Sequence, residues 1–150
     1  MADRDLLLLY SDRLLALAAN IPRLGRLASP HGTGRRRSPT CGSTVVVDVR
    51  LEGGRIADFA QEVRACALGQ AAAAVVGAAA PGRSADDLRQ GVAALRAMLR
   101  EGGPIPPPPW HGFEALLPAR DHPNRHASVL LALEATLDAA EAACAAVPSA

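Results

Sequence analysis

The segment Thr44 to Leu51 constrains the fold more than any other. Val45, Val47, Val49 and Leu51 alternate with Thr44, Val46, Asp48 and Arg50, the period of a strand with one face on a core and one toward solvent. Gly53 and Gly54 supply a turn, and Arg55 to Arg64 can return as the second strand with Ile56 and Phe59 among its apolar residues, although Asp58 and Gln61 weaken the alternation. A hairpin buries nothing by itself, so the remaining apolar residues must cover it.

Those residues are arranged as helices. From Asp3 to Ala19 the positions Leu7, Tyr10, Leu14 and Leu17 recur at helical spacing, and Asn20 and Pro22 stop the run. After Cys66 an Ala-rich stretch reads as helix until Pro81 and Gly82. Ser84-Ala85-Asp86-Asp87 has the spacing of a capping box, with Asp in place of Glu, and Leu88, Val92, Leu95 and Leu99 share one face until Gly102 and Gly103. A last helix runs from near Asn124 to about Ala146 with Leu130, Leu133, Leu137, Ala140 and Cys144 on its stripe, which makes Cys144 a core residue.

The connections read as irregular. Gly25 to Thr40, with its glycines, prolines and the run Arg35-Arg36-Arg37, is an exposed loop whose charge run is solvated, a docking patch for an acidic partner being the sharper alternative. Pro104 to Pro109 is extended polyproline, a rigid spacer rather than an SH3-type ligand, with Trp110 over the core edge. His31 and His111 fall in loops, solvent-exposed and without partners. The whole is a mostly helical α+β protein, a small antiparallel sheet packed against several helices, in one domain over residues 1–150. With aromatic residues at only 3%, the core must be built from Leu, Val and Ala.

Composition excludes several functions. Net charge is +1, with all 16 basic side chains Arg, so no strong overall field draws the chain to nucleic acid or membrane. The N-terminal apolar run is too short and too charged to span a bilayer. Three cysteines without a secretory signal argue against a disulfide framework and for a reducing, cytoplasmic setting with free thiols. No Walker loop, complete GxGxxG, HExxH or GxSxG occurs, and Gly32-Thr33-Gly34 lacks the strand and third glycine of a dinucleotide turn.

What remains for chemistry is a pair of cysteines. Cys41 opens the first strand of the hairpin, Cys66 closes the second, and antiparallel pairing brings those ends together. At Cys66 the N–H groups of a helix start, with Arg64 nearby, favour the thiolate that binds metal or accepts sulfur. Isolated cysteines are as often small buried hydrophobes, and spacing alone leaves both readings open.

Cys41-Gly42-Ser43 ahead of the valine strand, and Ala65-Cys66-Ala67-Leu68-Gly69-Gln70-Ala71 opening an Ala-rich helix, resemble in order, spacing and context the first two cysteine motifs of the NifU/IscU/SufU iron–sulfur scaffold family. The family's third motif, a Cys after a basic residue at the start of the last helix, falls on Pro123-Asn124-Arg125-His126-Ala127-Ser128-Val129-Leu130, with Ala127 where the Cys belongs. The interval from Cys66 to Ala127 is similar to the SufU-like branch. Tyr10, Asn20, Pro22, Arg23 and Gly25 are similar to the N-terminal pattern with altered spacing, and Ser43 replaces the usual Asp.

The resemblance implies a SufU/IscU-like fold and a scaffold or sulfur acceptor rather than an enzyme. It would take persulfide sulfur from a cysteine desulfurase and hold iron, zinc or a nascent Fe–S cluster between Cys41, Cys66 and His126. A [2Fe–2S] centre needs four ligands. A homodimer pooling Cys41 and Cys66, or a ligand from a partner, a thiol cofactor, Ser43 or Asp121, would complete the set; two Cys, one His and an open position also suit zinc. His126 as a surface helix-start residue is the plain alternative, and Pro123 makes a shared face with His122 doubtful. The competing function is a metal-free paralogue that binds a desulfurase or assembly partner. Nucleophilic catalysis by Cys41 or Cys66 would need an oriented base, and the one nearby candidate, His126, has no orienting carboxylate beyond Asp121.

Overall fold

The computed structural model describes residues 11–39 and 42–146. Helix α1 (Asp12–Ala19) is followed by strands β1 (Gly32–Arg37), β2 (Thr44–Glu52) and β3 (Arg55–Arg64), helices α2 (Ala67–Ala79) and α3 (Ala85–Arg100), 3-10 helices at Trp110–Asp121 and Pro123–Arg125, and helix α4 (His126–Ala146). The strands form one antiparallel sheet in the order β1-β2-β3. The expected α+β architecture is the one observed.

The predicted β2–β3 hairpin is present from Thr44 opposite Arg64 to Glu52 opposite Arg55. Its imperfect alternation has a local cause. Arg50 pairs with Asp58 but Leu51 with Ile56, so Ala57 bulges out and both Ile56 and Phe59 reach the inner face. Gln61 also faces inward, fully buried, its Nε2 donating to the Pro22 and Ala73 carbonyls at 3.1 and 3.0 Å.

The predicted loop from Gly25 to Thr40 is corrected in its middle, where Gly32 to Arg37 form β1, paired with Val49 to Thr44. Two glycines and three arginines carry little strand propensity. Their placement is set by α4, most of whose residues from His126 to Ala143 are buried between the sheet and the other helices, leaving outward a stripe of Glu134, Asp138 and Glu141. A Cβ on Gly32 would stand 2.2 Å from the Ala139 oxygen, and one on Gly34 2.1 Å from the Ala135 oxygen. Only glycine lets α4 lie this close to β1.

A half-buried β2 is a second correction, since both of its faces are covered and Val46 and Asp48 are buried. The chain after α1 pairs beside β3, with Gln61 N donating to Arg23 O and Gly25 N to Gln61 O, and then crosses the outer face to Asp48. The Asp48 carboxylate accepts from Arg26 Nε (2.6 Å) and Nη2 (3.1 Å), Thr33 Oγ1 (2.6 Å) and Leu27 N (3.0 Å). Burial pushes its pKa up, but the bonds from Arg26, Thr33 and Leu27 outweigh this and hold it below the usual carboxylate range.

Helix α3 opens on the expected capping box: Ser84 Oγ accepts from Asp87 N, and Asp87 Oδ2 from Ser84 N. Trp110 lies deeper than the core edge. It is buried against Gly91, where a Cβ would meet its Nε1 at 2.7 Å, and donates to Asp87 O. Pro104–Pro107 form neither helix nor strand, and the following 3-10 helix, which contains Pro118, has no counterpart among the predicted elements. Arg120 ties it to the end of α3 by donating to Met98 O and Gly103 O. Cys144 is exposed rather than in the core, because Ala139, Ala140 and Ala143 form the buried stripe. His31 also has a partner, since its Nδ1 accepts from Leu51 N at 2.9 Å, while His111 is exposed as expected. The predicted helical run from Asp3 to Ala19 is corrected at Ser11, which is the extended N-cap of α1 (φ −62°, ψ 161°) with its Oγ accepting from Leu14 N at 3.2 Å; the positions before Ser11 lie outside the described residues.

Gly34→Ala is expected to destabilise the protein by about 1–3 kcal/mol, because the helix backbone it meets cannot yield as a side chain can; urea unfolding of the two forms measures it. Asp48→Asn is expected to cost about 1–3 kcal/mol at pH 7. A carboxylate with a depressed folded-state pKa stabilises above its unfolded value, about 3.9, and that contribution is lost as pH falls through the folded value. Melting temperatures from pH 7 to 2 therefore converge for wild type and Asp48→Asn in acid; a constant gap would refute the assignment.

Candidate functional site

At the open end of the hairpin, β3 finishes at Arg64 and Ala65-Cys66 leads into α2. Cys66 is the N-cap, in extended conformation (φ −67°, ψ 172°), and its carbonyl accepts the Gln70 N–H at 2.9 Å. Its side chain makes no capping bond, which leaves a free, half-buried thiol at the helix end where amide N–H groups emerge. The sequence placed Cys66 at this junction, and the structure keeps it there.

Beside it, β1 and β2 are joined by a short turn in which Ser38 N donates to Ser43 O (2.8 Å) and Gly42 N to Ser38 O (3.1 Å). Gly42 has φ +72°, a left-handed conformation that suits glycine. Ser43, where the resemblance expects an Asp, is buried. Cys41 lies outside the described residues.

The start of α4 meets the start of α2. A Cβ on Gly69, in the first turn of α2, would stand 3.5 Å from the Ser128 oxygen of α4, an ordinary contact, and 2.7 Å from the Ala65 Cβ just before its own helix. The helix beginnings that carry Cys66 and His126 are thus adjacent. His126 is buried, its Nε2 3.1 Å from Ala119 O and 3.0 Å from Arg120 O. Carbonyls only accept, so Nε2 carries the hydrogen and Nδ1 is the nitrogen left for a ligand. Ring N–H donation to a backbone carbonyl is the usual support of a metal-binding histidine, and equally the means by which a buried imidazole ties a 3-10 helix to the next element. Ala127 is half-buried in the same turn, Asp121 is exposed, and His122 N donates to Ala119 O. Among the described residues, no three His, Cys, Asp or Glu side chains gather as they would around a metal ion.

Sequence reasoning missed the support for His126, because it comes from the 3-10 helix that no periodicity announced. It also missed that the Arg35-to-Arg37 run lies on a strand ending at this site. Arg36 pairs with Asp138 of α4 at 2.6 Å, whereas Arg35 and Arg37 alternate onto the opposite face. Residue-by-residue pairing with β2 is the signal that assigns those faces.

No protein-family model and no curated protein matches the sequence. Among solved structures, the chain is similar to the N-terminal part of a nitrogen-fixing NifU-like protein from Brucella abortus, with TM-score 0.89 and 39% identity, covering 92% of this chain and 96% of that one. A candidate iron–sulfur cluster assembly scaffold protein for the SUF system of Fervidobacterium islandicum shares the fold, with TM-score 0.78 and 18% identity over 88% of this chain and 96% of that one.

Proposed function

The chain belongs to the NifU/IscU/SufU-like family, and from that premise we propose that it serves iron–sulfur cluster assembly as a scaffold or sulfur acceptor, acting as one domain over residues 1–150. The observation that carries this is the free thiol of Cys66, capping α2 at the end of a hairpin whose other strand follows Cys41, in a chain 39% identical over nearly its whole length to a NifU-like domain.

In this reading a cysteine desulfurase delivers persulfide sulfur, and Cys41, Cys66 and Nδ1 of His126 hold iron or a nascent cluster as cargo. Two thiolates and an imidazole suit this chemistry, and the ring N–H held by Ala119 and Arg120 fixes the tautomer that leaves Nδ1 unprotonated. Zinc is also compatible with that donor set, with a fourth position open. The outside ligand needed to close a cluster would come from a partner or a second copy.

A second reading has its own support. Ala127 and Ser43 replace a Cys and an Asp of the family pattern, which fits a metal-free paralogue that contacts a desulfurase or assembly partner.

Anaerobic reconstitution with iron, sulfide and a cysteine desulfurase, followed by iron and zinc analysis, separates the two. Stoichiometric metal that is lost in Cys41→Ala, Cys66→Ala and His126→Ala is expected; a wild type that stays metal-free rejects the scaffold reading for the paralogue. Ala127→Cys is expected to slow metal loss to a chelator, since a third thiolate would then stand in the first turn of α4. An unchanged rate would mean that position 127 does not face the bound metal.

A further inference from the structure

The outer face of the sheet, beside Cys66, carries cations that neither the fold nor the proposed metal site uses. Arg37 pairs with Thr44 and Thr44 with Arg64, so the three side chains form one row across the sheet; in the next row Arg35 pairs with Val46 and Val46 with Glu62. Opposed residues share a face, and so Arg35, Arg37 and Arg64 rise around Thr44 on one surface. All three are exposed, and among the described residues none makes an ion pair. The Arg37 guanidinium extends to the cysteine turn, 3.8 Å from where a Cβ on Gly42 would stand. An open groove of about 580 Å³ runs along this surface past Arg35, Thr44, Arg64 and Leu24, the last 61% exposed.

We propose that this groove docks an acidic, extended protein segment carrying an apolar side chain, so that a partner's carboxylates seat on Arg35, Arg37 and Arg64 and its apolar residue on Leu24. Guanidinium groups bind carboxylates through paired hydrogen bonds. Arg37 and Arg64 lie two strand spacings apart, about 10 Å, which suits several carboxylates on one chain better than a single phosphate. Glu62 on the same surface is already paired with Arg26, and the lack of any aromatic side chain in these rows disfavours nucleic acid, whose single strands bind by stacking on aromatic rings. The inference extends the assembly reading by naming the chemistry of a partner that would dock beside Cys66, and it does not require the chain to hold metal.

The test uses the full chain and a fluorescein-labelled peptide of glutamates around a central leucine, titrated by anisotropy against a peptide with Gln in place of Glu. The acidic peptide is expected to bind more tightly, with affinity that falls as salt rises. Arg35→Ala with Arg64→Ala, and separately Arg64→Glu, are expected to weaken it by about tenfold or more. Arg100→Ala, at an exposed arginine of α3, and Cys66→Ser leave it unchanged. Equal binding of the two peptides, unaltered affinity in both arginine variants, loss in Cys66→Ser, or tighter binding of single-stranded RNA or pyrophosphate at the same arginines would each overturn the proposal. Because the peptide assay contains no metal, its failure leaves the reconstitution result standing, and the reverse holds as well.

Discussion

The close contact between β1 and α4 is the constraint on which the rest of the structure depends. α4 is apolar on all but the stripe of Glu134, Asp138 and Glu141, so most of its circumference must be covered, and the sheet supplies part of that cover. A Cβ on Gly32 or Gly34 would collide with the helix backbone, so the separation between the layers is set by two missing side chains. With α4 seated there, α2 and α3 pack on its other sides. At the other end of the helix the beginnings of α2 and α4 meet at ordinary contact distance, Ser128 O lying 3.5 Å from where a Cβ on Gly69 would stand, which brings Cys66 and His126 into one neighbourhood.

The outer face of the sheet is organised by a different force. One buried carboxylate, Asp48, gathers a guanidinium and a backbone amide from the Arg26-Leu27 segment and a hydroxyl from Thr33 of β1. The segment that leaves α1 is thereby held across β2, which explains why a strand that alternates like a half-exposed one is buried on both sides. An unpaired Asp at this depth would be costly; with four hydrogen bonds it fixes the path of a segment that has no regular structure of its own. The remainder of that face is left open, and there the arginines stand.

Several elements were legible in the sequence because they depend on local chemistry. The hairpin follows from valine alternation and two glycines, α3 from its capping box, and Cys66 at a helix start from the change from strand to alanine pattern. β1 was not legible, since Gly32 and Gly34 are selected by the helix they touch and weaken any strand signal. Cys144 was misplaced because it lies three residues beyond Glu141, on the outward stripe begun by Glu134 and Asp138, and Ala143 rather than Cys144 faces inward. At the candidate site, the motif around His126 could be found by resemblance, but the carbonyls that hold its ring come from a 3-10 helix with a proline inside it, and neither periodicity marks such an element. Asp48 read as a solvent-facing residue because its partners are tertiary.

The burial of Trp110 has an optical consequence. It is the only tryptophan in the chain, and its indole lies on Gly91 with its N–H on Asp87 O. The tryptophan emission of the protein therefore reports one contact, between α3 and the first residue of the long 3-10 helix. The other end of that helix supplies the Ala119 and Arg120 carbonyls that hold His126. A shift in tryptophan emission when His126 is perturbed would thus report movement carried along a single short rod, and the protein has that gauge built in without any label.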